Sequence, residues 1–179
     1  TETNLKDPVT LVTNGQVGSD YTATKDNTIT KDGLVYELVK TNGGLKDGSA
    51  TETGKVTEAK QEVVYEYAPK VGGNVEVKYV IAGTETNLKD PVTLVTNGQV
   101  GSDYTATKEN TLTKDGLVYE LVKTNNGLKE GSATETGKVT EAKQEVVYEY
   151  APKVGGNVEV KYVIAGTETN LKDPVTLVT

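Results

Sequence analysis

The 179-residue chain contains no Cys, His, Arg, Phe, Trp or Met. Each absence removes a class of function. Without Cys there is no disulfide framework and no thiol nucleophile. Without His the commonest general base and metal ligand is missing. Without Arg there is no bidentate phosphate clamp, and the net charge of −7 offers no basic stripe for a polyphosphate backbone, so nucleic acid is not an expected partner. No apolar run reaches the 18 or so residues that a membrane-spanning helix requires. With no Phe or Trp, ten Tyr are the only aromatic residues, and the core must be built from them with Val, Leu, Ile and Ala. A hydrophobic share of 35% predicts slim units with a thin core layer.

What is present is repetition. Residues 1–83 return as 84–166, and 167–179 repeat 84–96. The two copies differ at four aligned positions, Asp26/Glu109, Ile29/Leu112, Gly43/Asn126 and Asp47/Glu130. A fixed period of this length marks an array of supersecondary units. Near-identity between neighbours points to selection on the number of units, because identical adjacent domains are prone to swapping and would otherwise diverge.

Within one copy the pattern is that of strands. Val9–Thr13 is β-branched and follows Pro8, with the hairpin signal Asn14-Gly15 after it. Gln16–Thr24 reads as a short strand or turn. Lys25–Asp32 reads as a loop or one helical turn. Leu34–Lys40 alternates, with Leu34, Tyr36 and Leu38 on one face. Asn42-Gly43-Gly44 is a turn, Ser49–Val56 an extended edge, and Thr57–Lys60 the one helix-like stretch, Thr57 capping it. Glu62–Tyr67 places Val63, Tyr65 and Tyr67 together. Asn74–Ile81 is the cleanest half-buried strand, with Val75, Val77, Tyr79 and Ile81 inward, repeated at Val158, Val160, Tyr162 and Ile164. The expected fold is mainly β, with at most one short helical turn per unit, in two tandem slim domains set end to end as a rod.

Two phases fit the period. One cuts at Gly83/Thr84, giving units 1–83 and 84–166 with 167–179 opening a third, and pairs the Tyr67 and Val75 strands as a hairpin. The other places the junctions at 70–73 and 153–156. The first is favoured, because the second leaves the first unit without its opening strand. The connectors hold no Gly/Ser-rich or Pro-rich run in either phase.

Four motifs in order carry a family resemblance: Asn74–Val80, Gly98–Tyr104, Tyr119–Lys123 and Val146–Tyr150. In that order they resemble MucBP-type repeats, and the near-identical period resembles the streptococcal high-identity repeats in tandem (SHIRT). The resemblance implies a β-grasp-like unit in the stalk of a Gram-positive, cell-wall-anchored surface adhesin. Its partners are then the neighbouring repeats, with a host ligand held by a separate domain. The chain is expected to be a monomer, and the lack of a long apolar run predicts no membrane insertion.

Candidate chemical sites are few. Glu58 and Glu62 are paired carboxylates in a Lys-rich surface stretch. Asp26, Asn27, Asp32 and Gly33 form an Asp/Asn/Gly loop whose spacing departs from a calcium loop and fits turn chemistry. An isopeptide cross-link would need a buried Lys, whereas Lys78 alternates outward. Tyr36, Tyr65, Tyr67 and Tyr79 fall on Val- and Leu-rich strand faces, as core residues rather than a sugar-stacking platform. The reading assigns no catalytic, cofactor-binding or metal residue and no enzyme activity. The leading function is a spacer whose length follows repeat number. A weak, multivalent glycan- or mucin-binding repeat is the alternative.

Overall fold

The computed structural model describes residues 2–177. Its strands, in chain order, are β1 (Asp20–Thr22), β2 (Thr28–Lys31), β3 (Leu34–Leu38), β4 (Thr53–Lys55), β5 (Tyr67–Pro69), β6 (Val75–Ile81), β7 (Val92–Val95), β8 (Asp103–Thr105), β9 (Thr111–Lys114), β10 (Leu117–Leu121), β11 (Thr136–Lys138), β12 (Gln144–Pro152), β13 (Val158–Val163) and β14 (Asn170–Leu177). The helical content of the described residues is two short 3₁₀ turns, Thr41–Gly44 and Thr124–Gly127. The chain is mainly β, as its alternating pattern predicts.

A five-stranded sheet, β7-β6-β12-β10-β9, organises the middle of the chain. β6 lies parallel to β12, with Val75 opposite Gln144 and Tyr79 opposite Tyr148. β7 is antiparallel to β6, and β9 and β10 form a hairpin on the far side of β12. A two-stranded ribbon, β8–β11, completes this unit. Tyr104 and Val139 join Val75, Val77, Tyr79, Val146, Tyr148 and Tyr150 in one apolar cluster.

The Tyr rings are the structural centre of that cluster. Tyr148 stacks on Tyr79 with centroids 6.0 Å apart, and Tyr150 tilts against Tyr79 at 6.4 Å. Each buried phenol is satisfied at its tip. The Tyr148 hydroxyl donates to Glu135 Oε1 (3.1 Å), that of Tyr150 to the Glu109 carbonyl (2.7 Å), that of Tyr79 to the Thr107 carbonyl (3.1 Å) and that of Tyr104 to the Thr134 carbonyl (3.0 Å). Tyr thus serves as a core aromatic because its one polar atom always reaches a partner.

Burial holds the Tyr150 and Tyr65 phenols up at about 12 and raises that of Tyr148 further in the same direction. In an unfolded chain these groups ionise near 10. A raised folded value contributes stability that is complete below pH ~10 and is lost as pH climbs through the folded values near 12. Denaturant midpoints measured from neutral to strongly alkaline pH are expected to stay level to about pH 10 and then fall steeply, together with the appearance of tyrosinate absorbance. A midpoint independent of pH across that window would contradict burial of these rings.

Three sequence expectations are corrected. First, the Tyr67 and Val75 strands do not form a hairpin. β5 pairs with β3 in a separate three-stranded sheet, while β6 pairs with β12 and β7. Second, Lys25–Asp32 contains a strand, β2, joined to β3 by the two-residue turn Asp32-Gly33. Both residues have positive φ, 52° and 79°, the signature of a tight hairpin. Third, Thr57–Lys60 is not helical. The Thr57 N–H bonds to Gln61 Oε1, the Thr57 hydroxyl to the Ala59 carbonyl and Gln61 Nε2 to the Lys55 carbonyl. Side chains take over the bonds a helix would have made. The 3₁₀ turn lies instead at Asn42-Gly43, where both residues are left-handed.

That last geometry explains one difference between copies. Asn126 replaces Gly43 at a left-handed position that Asn tolerates, and its Nδ2 gains a bond to Glu135 Oε2 (3.1 Å). The Asp26/Glu109 change conserves an ion pair with Lys6 or Lys89 respectively. Leu112 is a buried core residue where Ile29 is half-buried. Nothing in the structure explains Asp47/Glu130.

Identical sequence adopts different structure in different copies. Val92–Val95 is a strand against β6, and the described part of its third-copy counterpart, residues 175–177, lies in β14 against β13. Residues 9–12 have no such partner among the described residues, and they are exposed and irregular. Likewise 144–152 is a nine-residue strand beside β6, whereas its counterpart 61–69 is extended into a strand only at β5. A strand needs a neighbour to satisfy its backbone, and local propensity does not replace one.

Candidate functional site: the joint between repeats

The hairpin β2–β3 and the segment after β5 meet the turn ahead of β8. The contact is made by backbone. The Val35 N–H donates to the Val100 carbonyl (3.0 Å), and the Val100 N–H donates to the Lys70 carbonyl (2.9 Å). The Lys70 N–H returns to the Val35 carbonyl (2.9 Å), which also accepts from Gln99 Nε2 (3.0 Å). Val71 bridges Gln99 in antiparallel fashion, the Gly72 N–H donates to the Gly98 carbonyl (2.7 Å), and the Gly73 N–H to the Thr140 carbonyl (2.9 Å). Residues 70–73 and Val35 of β3 are therefore bonded directly to the second repeat, although the two sheets remain separate.

Small residues permit this approach. Gly101, at φ +94°, lies so close to the Gly33 carbonyl that a Cβ would overlap it. A Cβ at Gly73 would likewise overlap the backbone of Ala142 and Lys143. Lys70 forms an ion pair with Glu141, whose carboxylate raises the pKa of the ammonium through their hydrogen bond. The five bonds to Val100, Lys70, Val35, Gly98 and Thr140 that close the joint, at about 1 kcal/mol net each, amount to several kcal/mol.

The chain supplies its own controls, because each joint residue recurs where no neighbouring repeat stands among the described residues. Gly18, the counterpart of Gly101, has φ +92° and open space around it. Gly155 and Gly156, counterparts of Gly72 and Gly73, are equally open, and Val154 is 90% exposed. Leu117 and Val118, counterparts of Leu34 and Val35, are exposed.

The sequence-level candidates fall elsewhere. Asp32 and Gly33 are used by the hairpin turn, and Asp26 binds Lys6 (2.7 Å). Glu62 pairs with Lys60 (2.8 Å) at the surface, while Glu141, the counterpart of Glu58, supplies the carboxylate of the joint. Lys78 pairs with Glu145 (2.9 Å) on the outer face of β6, away from the apolar cluster. Among the described residues no cluster of three or more acidic groups is placed to hold a metal ion. The joint residues Gln99, Val100 and Gly101 were legible only as part of a short strand or turn. The signal that marks them is an apolar Val between Gln and Gly in an otherwise polar turn, with no strand of its own to face.

The family model for the MucBP domain matches residues 1–68 and again 74–151. The chain belongs to the MucBP domain family. Its MucBP repeats stand in tandem, and the joint lies between the two matched segments. No curated protein matches the chain. A solved structure of streptococcal high identity repeats in tandem (SHIRT) domains 3-4 from a cell surface protein is similar, at 12% identity over 79% of this chain and 81% of that chain, with a TM-score of 0.33. No helix of the described residues is long and apolar enough to cross a membrane.

Proposed function

We propose that this chain is a spacer: a run of MucBP repeats that holds something else at a distance, without catalysis, on the outside of a Gram-positive cell. The observation that carries this reading is the joint, in which backbone groups of consecutive repeats bond to each other and leave no slack linker. The proposed unit runs from Asn74 to Pro152, with junctions at 70–73 and 153–156. Two things support that phase: the β6–β12 pairing closes within it, and the family match breaks between 68 and 74. Wall anchoring and a separate ligand-binding domain belong to the same proposal.

A glycan-binding platform is disfavoured by where the rings lie. Tyr79, Tyr104, Tyr148 and Tyr150 are buried in the complete unit and cannot stack on a sugar. Small-angle scattering on chains with increasing repeat number tests the spacer reading. Each added repeat is expected to lengthen the maximum dimension by roughly 40–50 Å, from the size of an elongated domain of this length. A maximum dimension that barely grows, or binding to a mucin glycan array that rises with repeat number, would overturn it.

A further inference from the structure

The first and last strands of the proposed unit lie side by side and run the same way. β6 opens the unit at Val75 and β12 closes it at Pro152, and the two are paired in parallel over seven residues, from Val75–Gln144 to Ile81–Tyr150. Strands β7 to β11 all fall between them in the sequence. Tension carried along a run of repeats enters such a unit ahead of Val75 and leaves it after Pro152. Those two points stand at opposite ends of the β6–β12 pair. The load therefore draws the two strands lengthwise past each other, and the strands between them in sequence are not stretched until this pair parts.

Three features resist that slide. The hydrogen bonds of a parallel pair are evenly spaced along it, so the seven residue pairs share the load at once. Opened from one end, the same pairs would part singly. Side chains also interlock across the plane of sliding. Tyr148 stacks on its register partner Tyr79, Val146 lies opposite Val77, and all four are buried. A slip of one residue turns such an apolar set to the wrong face. Finally, two ion pairs are set diagonally. Glu76 stands opposite Glu145 in the register, while Lys78 pairs with Glu145 (2.9 Å) and Lys143 with Glu76 (2.9 Å). Load moves β6 toward its own N-terminus relative to β12. That motion carries Lys78 toward the level of Glu145 and Glu76 toward the level of Lys143, so the slide does not begin by opening either pair.

We propose that β6 and β12 form a mechanical clamp, which keeps the unit folded under tension applied along the chain, so that a run of units transmits a pulling force without lengthening. This goes beyond the spacer reading, which concerns the stiffness of the joint in the absence of load. A loose joint would leave the clamp intact, and a weak clamp would leave the spacing of unloaded repeats intact, so the two fail separately.

The test is single-molecule pulling on the full chain, in two directions. The chain has no native Cys, so handles can be attached at introduced ones. Val71→Cys with Lys153→Cys loads the β6–β12 pair lengthwise; all three attachment positions, Val71, Thr84 and Lys153, are exposed. Thr84→Cys with Lys153→Cys pulls on the Ile81 and Tyr150 ends together and opens the same pair from one end. Opened that way, each residue pair releases ~6.6 Å of chain, whereas lengthwise all seven must part within a slip of about 3.3 Å. Rupture force reports the unfolding barrier along the direction of pull. At equal pulling speed it is expected to be at least about threefold higher for the 71/153 chain than for the 84/153 chain. Lengthwise rupture is expected in a single step that gains roughly 250 Å, the contour of residues 71–153 less their folded span. Equal rupture forces in the two directions overturn the proposal, as does lengthening of the 71/153 chain by a series of small steps.

Discussion

Tyr148→Ala is expected to unfold the central repeat at or near room temperature, while Tyr65→Ala, the same substitution in the same local sequence, costs far less. Tyr148 is fully buried, stacks on Tyr79 and bonds to Glu135. Truncating a large buried aromatic costs about 3–5 kcal/mol. A repeat of this size has only about 5–10 kcal/mol in total, and each kcal/mol moves its melting point by roughly 4–8 °C. The loss also orphans the Glu135 carboxylate contact and empties the space between β6 and β12. Tyr65 has the same hydroxyl partner in Glu52, but no β6-like strand covers its ring. Calorimetry of the two variants distinguishes the sites. Equal losses would mean that the ring of Tyr148 gains nothing from β6. Tyr148→Phe, which conserves the ring and removes only the hydroxyl, is expected to fall between the native chain and Tyr148→Ala.

The second large effect concerns the joint. Gly101→Ala and Gly18→Ala place the same methyl on the same left-handed backbone, at φ +94° and +92°. Both incur the conformational cost of about 1–2 kcal/mol for a non-Gly residue there. Gly101→Ala alone drives the methyl into the Gly33 carbonyl, which lies beside the bonds between Val35, Val100 and Lys70. The expected result is separation of the two repeats with each still folded. The coupled melting of the native chain splits into independent transitions, and the chain gains breadth in its scattering profile. Gly18→Ala is expected to lower stability by the conformational term only and to leave the coupling intact. If the two variants behave alike, close approach at the joint contributes nothing.

Much of the unit was readable from its alternation. Val75, Val77 and Tyr79 are inward on β6 as period 2 requires, and Lys78 is outward. The core role of Tyr followed from the absence of any other aromatic. Pairing was not readable. A hairpin between Tyr67 and Val75 is the simplest link between adjacent strands, yet β6 crosses to a strand 69 residues further on, at Gln144. Nothing local to Asn74–Ile81 encodes that distance, since either neighbour would bury the same face. Strand β2 was hidden because Thr28, Thr30 and Lys31 give little apolar signal around Ile29, and its hairpin is set by two positive-φ turn residues instead. The joint was hidden for a different reason. Its residues are identical in every copy, and only their surroundings separate Val35 from Val118 or Gly101 from Gly18.

That identity also gives the most direct measurement of the account. Amide hydrogen exchange can follow Val35 and Val118, and Val100 and Val17, as matched pairs with the same flanking residues. Val35 and Val100 donate across the joint at 3.0 and 2.9 Å; no following or preceding repeat stands at Val118 or Val17 among the described residues. With several kcal/mol closing the joint, Val35 and Val100 are expected to exchange at least about 100-fold more slowly than their counterparts. Equal exchange within both pairs would show that the repeats are strung together without a bonded contact, and the proposed spacer function would lose its physical basis.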